Sequence, residues 1–119
     1  MARILLAEDD NDMRGFLARA LERAGHEVHA FAEGASAFEE LKSREVDLLL
    51  TDIVMPEMDG IELARRAAEL DPALKIMFIT GFAAGALHPD SDAPRDAKIL
   101  SKPFHLRDLV TEVDRMIAA

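Results

Sequence analysis

Short apolar runs alternate along the chain with stretches in which apolar residues recur every three or four positions. Ile4-Leu5-Leu6-Ala7 is the first run, and Met13, Phe16, Leu17, Ala20, Leu21 and Ala24 follow at the spacing of one helical face. Gly25 ends that helix. From His26 to Phe31, Val28 and Ala30 alternate with polar neighbours, as in an edge strand. Ala35 to Lys42 reads as a short helix. Val46-Asp47-Leu48-Leu49-Leu50 is a nearly continuous apolar strand, the pattern expected when both faces are covered; the run closes at Asp52. Gly60 opens a helix that reaches about Leu70, and Pro72 marks its exit. Ile76-Met77-Phe78-Ile79 is a fourth strand and Ile99-Leu100 a short fifth. Leu106, Leu109, Val110, Val113 and Ile117 then share one face of a last helix.

Five strands in strict alternation with five helical slots predict an α/β fold, a doubly wound five-stranded parallel sheet flanked by helices. Right-handed crossovers leave few topologies. The order 2-1-3-4-5 puts the ligand crevice at the carboxyl ends of strands one and three, where the winding reverses. One segment breaks the rhythm. The fourth helical slot contains Gly81, Gly85, Pro89 and Pro94, with Asp90, Ser91 and Asp92 between them. Proline removes an amide donor and clashes inside a helix. The expectation is a shortened or irregular fourth helix, about one and a half turns near Ala83 to His88. This segment is expected to be the domain's most mobile.

The chain's 119 residues, half of them hydrophobic, suit one domain over 1–119 with a full core and no added output module. With no cysteine, disulfides, thiolate metal sites and thiol nucleophiles are excluded. No run nears the roughly 18 apolar residues of a membrane span, so a soluble cytoplasmic monomer is expected. Twenty-three acidic against 14 basic side chains give a net charge of −9, which disfavours binding to phosphate backbones and makes nucleic acid an unexpected partner.

The placement of the acids changes the picture. Strand one runs into Glu8-Asp9-Asp10 and strand three into Asp52, and both ends open onto the same crevice. An isolated acid at a strand end more often caps the next helix, which Asp10 or Asn11 is expected to do here. Several carboxylates crowded together repel one another and raise each other's pKa unless a cation sits among them. A few hard oxygen ligands with room for water suit Mg²⁺. Strand four ends in Thr80 and strand five in Ser101-Lys102-Pro103, which adds a hydroxyl and an ammonium at the crevice rim. Taken singly, these are an ordinary strand-end cap and a surface lysine.

As a set, these residues resemble a known family. Ile4-Leu5-Leu6-Ala7-Glu8-Asp9-Asp10, Leu50-Thr51-Asp52-Ile53-Val54-Met55-Pro56-Glu57-Met58-Asp59-Gly60, Thr80-Gly81 and Lys102-Pro103-Phe104 are similar, in order and spacing, to the signatures of CheY-like receiver domains of response regulators. The resemblance implies Asp52 as phosphoacceptor, Asp9 as direct metal ligand, Glu8 as a ligand through water and the Val54 carbonyl as a third protein ligand. It implies Thr80 as switch hydroxyl, Lys102 as the phosphate-pairing lysine and a cis bond before Pro103. The implied donor is a phosphohistidine on a histidine kinase or phosphotransferase. Phe78-Ile79-Thr80-Gly81-Phe82-Ala83-Ala84 and Leu100-Ser101-Lys102-Pro103-Phe104-His105-Leu106 further resemble single-domain regulators that serve as adaptors for the ClpXP protease in the bacterial cell cycle. This implies a protein effector, engaged in the unphosphorylated form. A chemotaxis-type or phosphate-shuttle receiver with another partner is the alternative. The Ile117-Ala118-Ala119 tail is similar to ends that protease recognises, although a fraying helix end has the same look.

Some positions depart from the family pattern. Ile99 stands where receivers commonly carry an aromatic, so signalling is expected to pass through 81–97 instead, with that segment ordering on phosphorylation. Val54 and Phe82 stand where polar groups often assist hydrolysis, which predicts slow dephosphorylation. His26, His29, His88 and His105 lack metal spacing and read as surface or packing residues. Three rivals fit less well. A flavodoxin-like carrier needs a hydroxyl- and glycine-rich phosphate loop where Glu8-Asp9-Asp10 stands. A phosphohydrolase needs a second acid as proton donor and a covering domain. A receiver that is never phosphorylated would be expected to lack a site residue.

Overall fold

A computed structural model describes residues 2–81, 94 and 97–118. The predicted fourth helix, Phe82 and His88 lie outside the described residues. Five strands, β1 (Arg3–Ala7), β2 (Glu27–Phe31), β3 (Leu48–Asp52), β4 (Lys75–Thr80) and β5 (Lys98–Ser101), form one sheet in the order β2-β1-β3-β4-β5. Every pairing is parallel, with Ala7 opposite Thr51 and Thr51 opposite Phe78. The described helices are α1 (Asn11–Arg23), α2 (Gly34–Ser43), α3 (Gly60–Leu70) and α4 (Leu106–Ala118).

The strands are apolar at consecutive positions because both sides of the sheet are covered. Leu5, Ala7, Leu49, Ile76 and Phe78 point to the side of α2 and α3, where they meet Ala37, Leu63, Ala64 and Ala67. Their neighbours Ile4, Leu6, Leu48, Leu50, Met77 and Ile79 point the other way, onto Leu17 and Leu21 of α1 and Leu109 and Val113 of α4. The two-residue period of a strand thus divides each apolar run between two cores.

Local chemistry fixes the helix ends. Asp10 caps α1, its Oδ1 accepting the Met13 N–H at 2.9 Å, which decides between Asp10 and Asn11. Gly25, at φ 98°, ends α1: its N–H donates to the Glu22 carbonyl and the His26 N–H to the Leu21 carbonyl. Asp59 caps α3 by accepting the Glu62 N–H at 2.8 Å.

Two expectations need correction. The apolar run starting at Val46 predicts a strand two residues early. Val46 is buried against α2 and α3, but Asp47 instead exchanges bonds with Arg3, and the ladder begins at Leu48. In β2 the alternation does not mark burial, because Ala30 is exposed and His29 half-buried. The strand does lie at the sheet edge, as predicted. His26 packs inward just before it, its Nδ1 accepting the Ala2 N–H and its Nε2 2.8 Å from Asp114 Oδ1 of α4.

Candidate functional site

The first and third strands end beside each other at the centre of the sheet, so Glu8 and Asp52 emerge side by side. Carboxylate oxygens of Glu8, Asp9 and Asp52 lie within 4.8 Å of one another. Glu8 is fully buried and Asp52 nearly so, while Asp9 is exposed. From the far side of the sheet comes Lys102, just beyond β5. Its Nζ stands 3.3 Å from Asp52 Oδ2 and 3.4 Å from Glu8 Oε1. Its main-chain N–H donates to the Thr80 carbonyl at 2.6 Å, tying the ends of β4 and β5 together. The peptide bond from Lys102 to Pro103 is cis.

Thr80 closes β4 one position beyond Ile79, the partner of Asp52 in the ladder, and is almost entirely buried. Val54 follows Asp52 by two residues, its side chain exposed and its N–H 3.4 Å from Asp52 Oδ1. The structure therefore brings Glu8, Asp9, Asp52 and Lys102 into one cluster, and sets Thr80 and Val54 on the segments bordering it. Ile99 lies half-buried on β5 opposite Phe78.

The cluster's electrostatics follow from burial and crowding. Burial pushes the Glu8 carboxyl up to about 7. The Asp10 N–H bonded to Glu8 Oε2 at 3.2 Å pulls it back, the Asp52 charge raises it again and Lys102 lowers it. Burial works to lower the Lys102 pKa, but the paired charges of Glu8 and Asp52 outweigh it and hold the ammonium above the ordinary lysine value. Three carboxylates facing one ammonium remain short of positive charge. A donor set of hard oxygens with that deficit fits Mg²⁺, and Glu8, Asp9 and Asp52 are the side chains that would hold it.

Several residues that shape the site carry no signal on an apolar pattern. Gly60 begins α3 against the Asp52 main chain: a Cβ there would stand 1.9 Å from the Asp52 carbonyl oxygen. Its N–H also donates to the Ile53 carbonyl at 2.8 Å. Thr51, fully buried, donates its hydroxyl to the same Asp52 carbonyl at 2.8 Å. Glu57, in the loop between β3 and α3, has φ 65°. Arg14 reaches back from α1 to the Glu8 carbonyl at 3.0 Å. Only the dense motif from Leu50 to Gly60 hinted that this loop was constrained.

Known proteins resemble this chain in sequence and in fold. The response regulator receiver domain family matches residues 4–114. The response regulator receiver protein CpdR of Brucella abortus (strain 2308) is 74% identical over 119 residues, covering 100% of this chain and 99% of that protein. The sensor kinase CckA of the same organism is 40% identical over 120 residues, covering 98% of this chain but 12% of the kinase. Among solved structures, the response regulator TrrA of Thermotoga maritima, in complex with Mg²⁺-BeF, superposes with a TM-score of 0.86 at 27% identity, covering 98% of this chain and 99% of that one. The chain belongs to the response regulator receiver domain family.

Proposed function

We propose that this receiver takes a phosphoryl group from a phosphohistidine donor onto Asp52 and changes its protein partners as a result. The observation that carries the reading is the single cluster of Glu8, Asp9, Asp52 and Lys102, assembled from three strand ends. Asp52 is nearly buried, yet one carboxylate oxygen faces an ammonium and the other a main-chain N–H. That arrangement orients the carboxylate for in-line attack on phosphorus, with the donor imidazole leaving on the opposite side. The P–N bond breaks as the Asp52 O–P bond forms, and the donor histidine recovers its free nitrogen. Positioning and charge neutralisation supply most of the acceleration in such transfers.

Lys102 faces the incoming phosphoryl oxygens and is held charged by its acidic neighbours. Asp9 and Asp52, with the Val54 carbonyl and with Glu8 through water, would hold Mg²⁺, which would further neutralise the equatorial oxygens. The Asp52 product carries new acceptor oxygens. Thr80, at the end of β4, donates its hydroxyl to one of them, which draws on the segment that follows and alters the adjoining surface. The chain accepts phosphoryl without turning over a substrate, and its output is binding.

The similarity to CpdR over essentially the whole of both chains supports a stand-alone regulator of that type. Its implied output is an adaptor role toward ClpXP, engaged by the unphosphorylated form. The similarity to part of CckA, and to the solved receiver domain of a CckA hybrid histidine kinase, supports a phosphorelay in which donor and acceptor receivers share a phosphotransferase. The test is phosphotransfer from a radiolabelled histidine phosphotransferase to wild type and to Asp52→Asn. Label on the wild type and none on the variant is expected, and equal labelling would overturn the assignment. Pull-downs of the protease in each phosphorylation state then address the adaptor role.

A further inference from the structure

We infer that Arg14 is a positioning residue for the acidic pocket, its guanidinium fork setting the direction from which Asp9 enters the cation site. The inference rests on the phosphoacceptor reading above and deepens it. Arg14 lies in the first turn of α1 and folds back over the loop that joins β1 to α1. Its Nη1 donates to the Glu8 carbonyl at 3.0 Å and its Nη2 to Asn11 Oδ1 at 2.6 Å. A charged donor strengthens the first bond, and two bonds from a planar group fix its orientation.

The peptide between Glu8 and Asp9 is planar, so holding the Glu8 carbonyl fixes the plane that also carries the Asp9 nitrogen and Cα. Other bonds hold the residues on either side. The Glu8 N–H donates to the Phe31 carbonyl at 3.0 Å, the Asp10 N–H to Glu8 Oε2 at 3.2 Å, and Asp10 Oδ1 accepts the Met13 N–H at 2.9 Å. None of these bonds is made by Asp9. Its exposed carboxylate joins the cluster with Glu8 and Asp52 through the direction its backbone is given. Arg14 is the side chain that grips the peptide leading into it.

A rival account makes Arg14 a nearby positive charge and nothing more. The two accounts differ in sign. A mere charge opposes cation entry, so removing it should tighten Mg²⁺ binding. Loss of a supporting partner to a ligand-bearing segment should weaken binding, typically about 10-fold to 100-fold.

The test titrates Mg²⁺ into wild type, Arg14→Met, Arg14→Lys and Asn11→Ala, following the amide resonances of residues 8, 9 and 52, with apo melting curves recorded in parallel. Arg14→Met and Arg14→Lys are expected to raise the Mg²⁺ dissociation constant roughly 10-fold, and Asn11→Ala by less, with apo melting temperatures near the wild-type value. Arg14→Lys keeps the charge and loses the fork; it carries the test if Arg14→Met fails to fold. Wild-type affinity in Arg14→Lys, or tighter binding in Arg14→Met, would overturn the inference. A wild type that takes up neither Mg²⁺ nor phosphoryl overturns the functional reading itself. A wild type that takes up both, matched by every variant, overturns only the role of Arg14.

Discussion

Replacing Gly60 by alanine tests the close approach on which the geometry of Asp52 depends. The added Cβ would lie 1.9 Å from the Asp52 carbonyl oxygen, 2.8 Å from its carbon and 2.9 Å from the Ile53 Cα. All three are main-chain atoms, so no side chain can swing aside. Ordinary contact begins near 3.4 Å, and the start of α3 must therefore retreat from β3 by about 1.5 Å. Overpacking of this kind costs roughly 1–3 kcal/mol. The retreat also stretches the 2.8 Å bond from the Gly60 N–H to the Ile53 carbonyl, a loss of about 1 kcal/mol. Alanine recovers roughly 0.5–1 kcal/mol through its better helix propensity.

The net expectation for Gly60→Ala is a loss of about 2 kcal/mol, equivalent to a melting temperature roughly 8 °C lower for a domain of this size. Urea denaturation measures the first and a calorimetric scan the second. Gly15→Ala is the internal control, because a Cβ there meets only the flexible Arg19 side chain, at 3.6 Å. That variant should be stabilised by about 0.5 kcal/mol. Displacing the main chain of Asp52 by an ångström should also slow phosphoryl uptake by about 10²-fold. If Gly60→Ala matched wild type within 0.5 kcal/mol while the control behaved as stated, the argument from helix-to-strand contact would be refuted.

Lys102→Met leaves Glu8 and Asp52 facing each other without an ammonium, and phosphoryl uptake should fall by about 10²-fold in a single-turnover transfer assay; a rate within threefold of wild type would remove Lys102 from the mechanism. Glu8 predicts a pH dependence for the apo protein. Its folded pKa of about 7 lies above the ordinary glutamate value of 4.5, so the folded state keeps a proton that the unfolded chain releases. Stability should fall as pH rises through that window, by at most about 3 kcal/mol, and level off above it. Urea midpoints in chelator should show the slope in wild type and lose it in Glu8→Gln; an unchanged slope in the variant would assign it elsewhere. Thr51→Val removes the hydroxyl bonded to the Asp52 carbonyl and should cost about 1–2 kcal/mol in urea denaturation; no change would show that the carbonyl finds another donor.

The sheet was legible because its physics is one of alternation. Leu48, Leu49 and Leu50 are apolar in succession since neighbours serve different cores, and a run buried on both faces has few other readings. The strand boundaries were less so, because Val46 is as apolar as the strand that follows yet lies outside the ladder. The acids were visible as a group, since Glu8, Asp9 and Asp52 interrupt apolar runs at strand ends that the predicted order makes neighbours. What supports them was not. Gly60 reads as a helix start, and only its distance to Asp52 shows why no larger residue fits. Arg14 reads as one more charge on the polar side of α1, and only a side-chain bond distinguishes it from Arg19, whose guanidinium lies over the Phe16 ring.

The charge count explains why burying an acid here would serve the proposed switch rather than merely cost stability. Glu8, Asp9 and Asp52 against Lys102 leave a formal excess of two negative charges in a pocket whose innermost carboxylate has no access to water. Protonating Glu8 relieves part of that excess, and its pKa near neutrality shows how close this alternative lies. A divalent cation relieves all of it without consuming a proton. The proposed phosphorylation of Asp52 would then replace a single carboxylate charge with an acyl phosphate carrying nearly two, adding negative charge at a different place. New negative charge at that point favours any donor that can turn toward it, and the ends of β4 and β5 that border the pocket are joined by the Lys102–Thr80 main-chain bond. On the proposed phosphorylation of Asp52, one added charge in a largely buried pocket would bias movement at its rim more strongly than it would in a fully solvated site.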